Sequence, residues 1–325
     1  MKKPMKFIIL LIVLIVIYFV INYIQYRSFT KNASENEQLN IHQSEIFNLS
    51  YGKIEYTTFG IGPSILILHG VTGDVDQGLG IVERYFPDGY QYIIVSRMGY
   101  SDSDIPDSPT VAIQCEIYNE LLDHLSIDEV FVFGNSAGGT SAIKFADMYP
   151  NRTLGLILQS SNLPYDEVMS APPKAAAKLI FGNDFLYWWT LRTFGDALFI
   201  KSFVGEKKYD LLTNEQKSDI IDDYFLGSLP ITSKLDGIVF DFYQSNPAIN
   251  EPDFFDHQID TPTLVLRGTY DTSIPEEGIL NLQSHLTNTQ VQYYDAGHFL
   301  YNMDDLIKND IEEFINQTIG GTHAK

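Results

Sequence analysis

One serine, one aspartate and one histidine carry most of the chemical content of this sequence. The serine lies in "VFVFGNSAGGTSAIKF" (residues 130–145), where Gly134-Asn135-Ser136-Ala137-Gly138 fits a G-x-S-x-G pattern between an apolar run and a helical-looking segment. A tight strand-to-helix turn demands backbone angles and close approaches that small flanking residues permit, so Ser136 is expected as a nucleophile at a strand's carboxyl end. A serine hydroxyl attacks poorly unless a base takes its proton and a third group orients that base. Seven histidines are available. His298 follows the last apolar run in "YYDAGHFLY"; His69 follows "SILIL"; His257 lies just before the last two apolar runs; His124 and His285 fall on expected helices; His42 and His323 lie near the two ends. For the acid, Asp271 stands just past an apolar run in "LRGTYDTSIP". Asp295 competes, three residues from His298 and expected on the strand itself, whereas Asp256 and Asp260 precede a strand, at its wrong end. Ser136, Asp271 and His298 occur in the nucleophile–acid–base order that accompanies a strand-to-helix serine. They are the expected catalytic set. The oxyanion formed by attack needs rigid donors, and backbone amides supply them. Ala137, next to the serine, is one; Val71, in "HGVTGD" after an early strand, is the other.

Such a site needs strands that end at one edge. "EIFNLSYGKIEYTTFG" (residues 45–60) alternates and turns at Tyr51-Gly52, reading as an opening hairpin. Short apolar runs follow: "SILILHG", "YQYIIVS", "VFVFGN", "LGLILQS", "PTLVLRG" and "VQYYDAG". They are the kind expected for strands covered on both faces. Helical stretches such as "TVAIQCEIYNELLDHL" separate most of them. The alternation predicts an α/β fold, a mostly parallel central sheet with helices on both faces. The interval 161–257 has no clear strand but many aromatics, among them Phe181, Phe185, Tyr187, Trp188, Trp189, Phe194, Phe199, Tyr224 and Phe225. It reads as a helical lid over one end of the sheet, its aromatics mostly forming its own core and about a third facing a shared cavity. Within it Thr213 and Gln216 make a capping box.

The amino-terminal stretch "FIILLIVLIVIYFVINYI" (residues 7–24) has no charge. Eighteen helical residues span roughly 27 Å, about the hydrocarbon thickness of a bilayer. The apolar core is longer than a secretory signal's and no small-x-small site follows it, so an uncleaved single-pass anchor is expected. Lys2, Lys3 and Lys6 precede the span, which favours a cytoplasmic amino terminus and a domain on the extracytoplasmic side of the cell membrane. The expected organisation is an anchor over 1–27, a stalk over 28–44, a core over 45–160 and 258–325, and the lid between. All 42 acidic residues follow Arg27, so the body is strongly anionic, which argues against a nucleic-acid partner. Cys115 is the only cysteine, so no internal disulfide can form. No metal-ligand spacing and no G-x-G-x-x-G after a strand appear, so neither metal nor cofactor is expected.

"LILHGVTG", "SRMGYSDS", "FGNSAGG", "TPTLVLRGTYDTSIP" and "YYDAGHF" together resemble the strand and loop segments of the α/β-hydrolase fold, over roughly residues 50–320. The resemblance implies a hydrolase without implying a substrate, since esterases, lipases, aminopeptidases, carbon–carbon hydrolases and cofactor-free haloperoxidases share these segments. Ser96 departs from the aspartate many members carry before the arginine, and a serine nucleophile argues against haloalkane dehalogenase and epoxide hydrolase activity. The expected function is a membrane-anchored serine hydrolase acting on a small or medium apolar ester. An aminopeptidase-like activity would need an acidic cluster, to which Asp74, Asp76, Asp222 and Asp223 could contribute. A carbon–carbon hydrolase is a further enzymatic alternative. A non-catalytic binding module would use the same pocket without the chemistry.

Overall fold

The computed structural model describes residues 3–37, 43–165 and 171–322. Eight strands form one sheet in the order β1-β2-β4-β3-β5-β6-β7-β8. The first two, β1 (Glu45–Leu49) and β2 (Gly52–Gly60), make the hairpin read from the sequence, and β2 runs antiparallel to β4 (Gln91–Val95). From β4 onward neighbours are parallel: β3 (Ser64–Leu68), β5 (Val130–Asn135), β6 (Thr153–Gln159), β7 (Thr263–Gly268) and β8 (Thr289–Tyr294). Parallel pairing needs crossovers, and helices supply them.

The apolar runs are continuous because both faces of the sheet are covered. Leu66, Leu68, Val132, Leu156 and Leu158 pack on one face with α3 (Val111–His124) and α4 (Gly138–Met148). Their alternates Ile65, Ile67, Phe131, Phe133 and Ile157 pack on the other with α2 (Val75–Tyr85) and α13 (Asp304–Thr322). Period-two alternation thus feeds two cores from each strand. Cys115 is buried in the α3 core. Burial drives its thiol pKa far up, so it packs as a small hydrophobe.

Between β6 and β7 the described chain forms no strand of the sheet; its regular elements are the helices α5 (Lys174–Phe181), α6 (Asp184–Gly195), the short α7 (Lys201–Val204) and α8 (Glu206–Tyr209), α9 (Asn214–Tyr224), α10 (Leu235–Phe240) and α11 (Asn246–Ala248). These helices have a core of their own, including Tyr187, Trp188, Leu191, Ile220 and Ile221. The capping box at α9 is present in both directions. A bidentate ion pair from Arg97, just after β4, to Asp241, just after α10, ties this insertion to the sheet, and both side chains are fully buried. After the last strand, α12 (Glu276–His285) having preceded it, the chain closes with α13.

At the amino end, α1 (Lys3–Glu37) is one helix, longer than the apolar stretch inside it. The segment expected as a stalk begins as its continuation through Glu37; residues 38–42 lie outside the described residues. The apolar residues of α1 are exposed along the span, with a mean hydropathy of 3.1.

Candidate active site

The turn from β5 into α4 holds Ser136 at φ +48°, in the left-handed region that non-glycine residues rarely adopt. The glycines around it are dictated by close approach. A Cβ on Gly138 would lie 2.4 Å from the Leu68 carbonyl oxygen, and one on Gly134 would lie 2.8 Å from both Ala142 Cβ and Gly139 Cα. The turn is locked from the next strand: Ser136 N–H donates to the Gln159 carbonyl (3.0 Å) and its own carbonyl accepts from Asn162 N–H (2.9 Å).

The loops after β7 and β8 bring two further residues to this hydroxyl. His298 Nε2 lies 3.1 Å from Ser136 Oγ, and its Nδ1 lies 2.8 Å from Asp271 Oδ2. With Nδ1–H donating to the carboxylate, Nε2 accepts from the serine hydroxyl. Each member is held from outside. The other Asp271 oxygen accepts from Ser273 N–H (2.8 Å), and Arg267 spans the same loop by donating to the Ile274 carbonyl. His298 N–H donates to the Phe203 carbonyl (2.6 Å), and Ser160 Oγ donates to the His298 carbonyl (2.6 Å).

The competing residues have other partners. His124 stacks on Phe47 and His285 on Phe255. His257 lies 3.6 Å from Asp147, Asp256 pairs with Lys144, and Asp260 accepts from Thr287. Asp295 falls just past the end of β8 rather than on it, and pairs with Lys208. His42 and His323 lie outside the described residues. His69 is fully buried, its Nδ1–H donating to the Gly70 carbonyl (2.7 Å) and its Nε2 accepting from Arg97 N–H (2.9 Å). Burial, and then the Arg97 charge, push its pKa well below 6.5, so it stays neutral.

His69 thereby shapes the loop after β3, which contains Val71. Gln77 on α2 helps, its Oε1 accepting from Gly70 N–H (2.8 Å). Among the described residues neither Val71 N–H nor Ala137 N–H donates to a protein acceptor. Val71, Ser136 and His298 line a cavity of about 360 Å³. Five of the nine insertion aromatics named from sequence face it, Phe181, Tyr187, Phe199, Tyr224 and Phe225, which is more than the third expected. Phe203, Phe242 and Phe299 join them.

Sequence reasoning missed Lys234. It is 2 % exposed, lines the same cavity and pairs with Asp74 Oδ2 at 2.7 Å. Its only sequence signal was a lone lysine in an otherwise uncharged run, "LPITSK". Three of the four acids that could have formed an amine-binding cluster pair with cations: Asp74 with Lys234, Asp222 with Arg192, Asp223 with Arg84; the fourth, Asp76, lines the cavity. Among the described residues no group of three or more His, Cys, Asp or Glu could hold a metal ion.

A family model described as the alpha/beta hydrolase fold matches residues 63–302. An uncharacterized hydrolase of Bacillus subtilis is 38% identical over 117 residues, 36% of this chain and 41% of the relative, so the chain spans about two-fifths of that relative's length. A putative esterase/lipase of Haemophilus influenzae is 22% identical over 289 residues, 87% of this chain and 92% of the relative. Among solved structures, the 2-hydroxy-6-oxo-6-phenylhexa-2,4-dienoate hydrolase of a Rhodococcus strain superposes with a TM-score of 0.62 at 18% identity, over 85% of this chain and 99% of that one.

Proposed function

The chain belongs to the α/β-hydrolase fold family, and we propose that it is a membrane-anchored serine hydrolase cleaving small to medium apolar esters through an acyl-enzyme. The reading rests on one observation: the Ser136–His298–Asp271 chain of contacts, 3.1 and 2.8 Å, at the wall of an aromatic cavity. Ser136 Oγ attacks the ester carbonyl while His298 Nε2 takes its proton. Asp271 holds the imidazole in the accepting tautomer and stabilises the imidazolium. The Val71 and Ala137 amides stabilise the oxyanion. His298 returns the proton to the leaving alcohol. Water, deprotonated by the same nitrogen, then releases the acid and restores Ser136.

The insertion acts as a lid over residues 161–257, and the aromatics it places around Ser136 favour an apolar acyl or alcohol group. Residues 1–27 anchor the enzyme, with the catalytic domain on the extracytoplasmic face, and 28–44 serve as a stalk. Pairing of Asp74, Asp222 and Asp223 with cations weakens the aminopeptidase-like reading, which keeps Asp76 in the cavity wall as its support. A fluorophosphonate probe tests the central claim. Wild type is expected to label and Ser136→Ala not to; absence of labelling in both, with folding intact by circular dichroism, would overturn it.

A further inference from the structure

α1 does not merely leave the body of the protein; its last apolar turns dock on α6. Tyr18 Oη accepts from Trp189 Nε1 (3.3 Å), and Phe19 lies against the Trp189 ring (centroids 5.4 Å apart). One and two turns on, Tyr23 meets Phe185 (5.4 Å) and Tyr26 meets both Phe185 and Trp188 (5.7 and 5.9 Å). The Arg192 guanidinium lies over Phe29 (5.9 Å). Two features of this contact matter.

The first is depth. Trp189 touches residues that precede the end of the apolar stretch, at Ile24, by five or six positions, which at a helical rise is about 8–9 Å. If the stretch spans a bilayer, as proposed above, Trp189 lies about 8–9 Å inside its apolar boundary, the depth at which the apolar face of an interfacial helix is buried. The uncovered apolar surface continues from α1 onto the insertion: Phe194 is 45% exposed and edge-on to Trp189 (5.7 Å). The second is that α6 has the cavity on its other side. Tyr187 lines the cavity, and Leu191 is buried in the insertion's core. A single helix therefore separates the anchor from the space beside Ser136.

We propose that the face of α6 carrying Trp189 and Phe194 is seated in the lipid leaflet that α1 enters, and that the substrate is a single-chain amphipathic acyl ester drawn from that leaflet. The inference rests on the hydrolase and anchor reading and names the source of its substrate. A cavity of about 360 Å³ lies at the small end of the range for ligand sites, ~300–1,000 Å³, which suits one acyl chain better than two.

The chain has two tryptophans, so Trp188→Phe leaves Trp189 as the sole indole reporter. The full chain carrying it is reconstituted in phosphatidylcholine vesicles with bromine near the headgroup end or near the methyl end of the acyl chains. Bromine at one or both depths is expected to remove about half of the emission, since Trp189 lies between the two. If Trp188→Phe does not fold, wild type gives the same comparison through both indoles. Emission unaffected by bromine at either depth overturns the proposal, including when the spectrum is blue-shifted, which would mean that a second copy of the chain covers the face. In the same vesicles Trp189→Asp with Phe194→Asp is expected to slow turnover of a vesicle-borne long-chain monoester about tenfold and to leave a water-soluble short-chain ester unchanged. Equal loss on both esters overturns the substrate claim. Fluorophosphonate labelling keeps the readings separate: labelling without quenching sinks the seating of α6 alone, whereas quenching without labelling sinks the hydrolase reading and the substrate claim with it.

Discussion

Ser136 is held at φ +48° by carbonyl and amide partners on β6 and the loop beyond it, at a backbone cost of roughly 1–3 kcal/mol that the surrounding packing absorbs. The result is a half-buried hydroxyl at the cavity wall, within hydrogen-bond distance of His298. Asp271 then matters through geometry more than charge: its Oδ2 selects which imidazole nitrogen carries the proton. Asp271→Asn presents an amide that favours the wrong tautomer, so kcat for an activated ester is expected to fall by about 10⁴ with KM little changed. Steady-state kinetics on the two proteins check this, and a loss in KM alone would contradict the assigned role. His69 makes a different prediction, one of stability. Its folded pKa is depressed, so below about pH 6.5 the unfolded chain takes up a proton that the folded chain refuses. Stability from this group is therefore fully present above pH 6.5 and declines as pH falls, by up to about 1.4 kcal/mol per unit. His69→Gln should flatten that dependence. Urea midpoints of both proteins at neutral and mildly acidic pH measure the difference, and parallel curves would show that His69 titrates normally.

At the scale of elements, local signals were legible where the physics is local. The capping box of α9 was readable from Thr213 and Gln216, and the hairpin from Tyr51-Gly52, because each depends on residues a few positions apart. The attachment of the insertion to the sheet was not. It runs through Arg97 and Asp241, which lie just after β4 and in the insertion respectively and reveal nothing of each other by type or spacing. Burial disfavours the charged guanidinium, but the Asp241 carboxylate beside it more than compensates and holds its pKa above the ordinary value. Tyr100 donates to the same carboxylate. Asp241→Ala leaves a buried unpaired cation and is expected to cost about 3–5 kcal/mol in chemical denaturation. Arg97→Met with Asp241→Leu should recover much of that loss, since apolar replacement also removes the desolvation cost of both ions. A double variant as unstable as Asp241→Ala would mean that the pair is required for the fold itself.

For the whole molecule, the contact between α1 and α6 makes α1 part of the insertion's cover. A fragment beginning at Gln43 keeps every strand of the sheet and the Ser136–His298–Asp271 contacts, so it is expected to turn over a soluble ester. It also uncovers Phe185, Trp188 and Trp189, and is expected to self-associate without detergent, as read by light scattering. A monodisperse fragment would show that α1 covers no adhesive surface. The sequence by itself determined the alternation of strands and helices, the serine at the end of a strand and an apolar stretch of membrane-spanning length. Those follow from side-chain periodicity, turn chemistry and length, which act over a few consecutive residues. Only the tertiary structure decided that Lys234 neutralises Asp74 in the cavity wall, how many aromatics turn inward and which helix receives α1. These depend on burial and pairing between segments far apart along the chain, and such partners meet only once the sheet and its covering helices have packed.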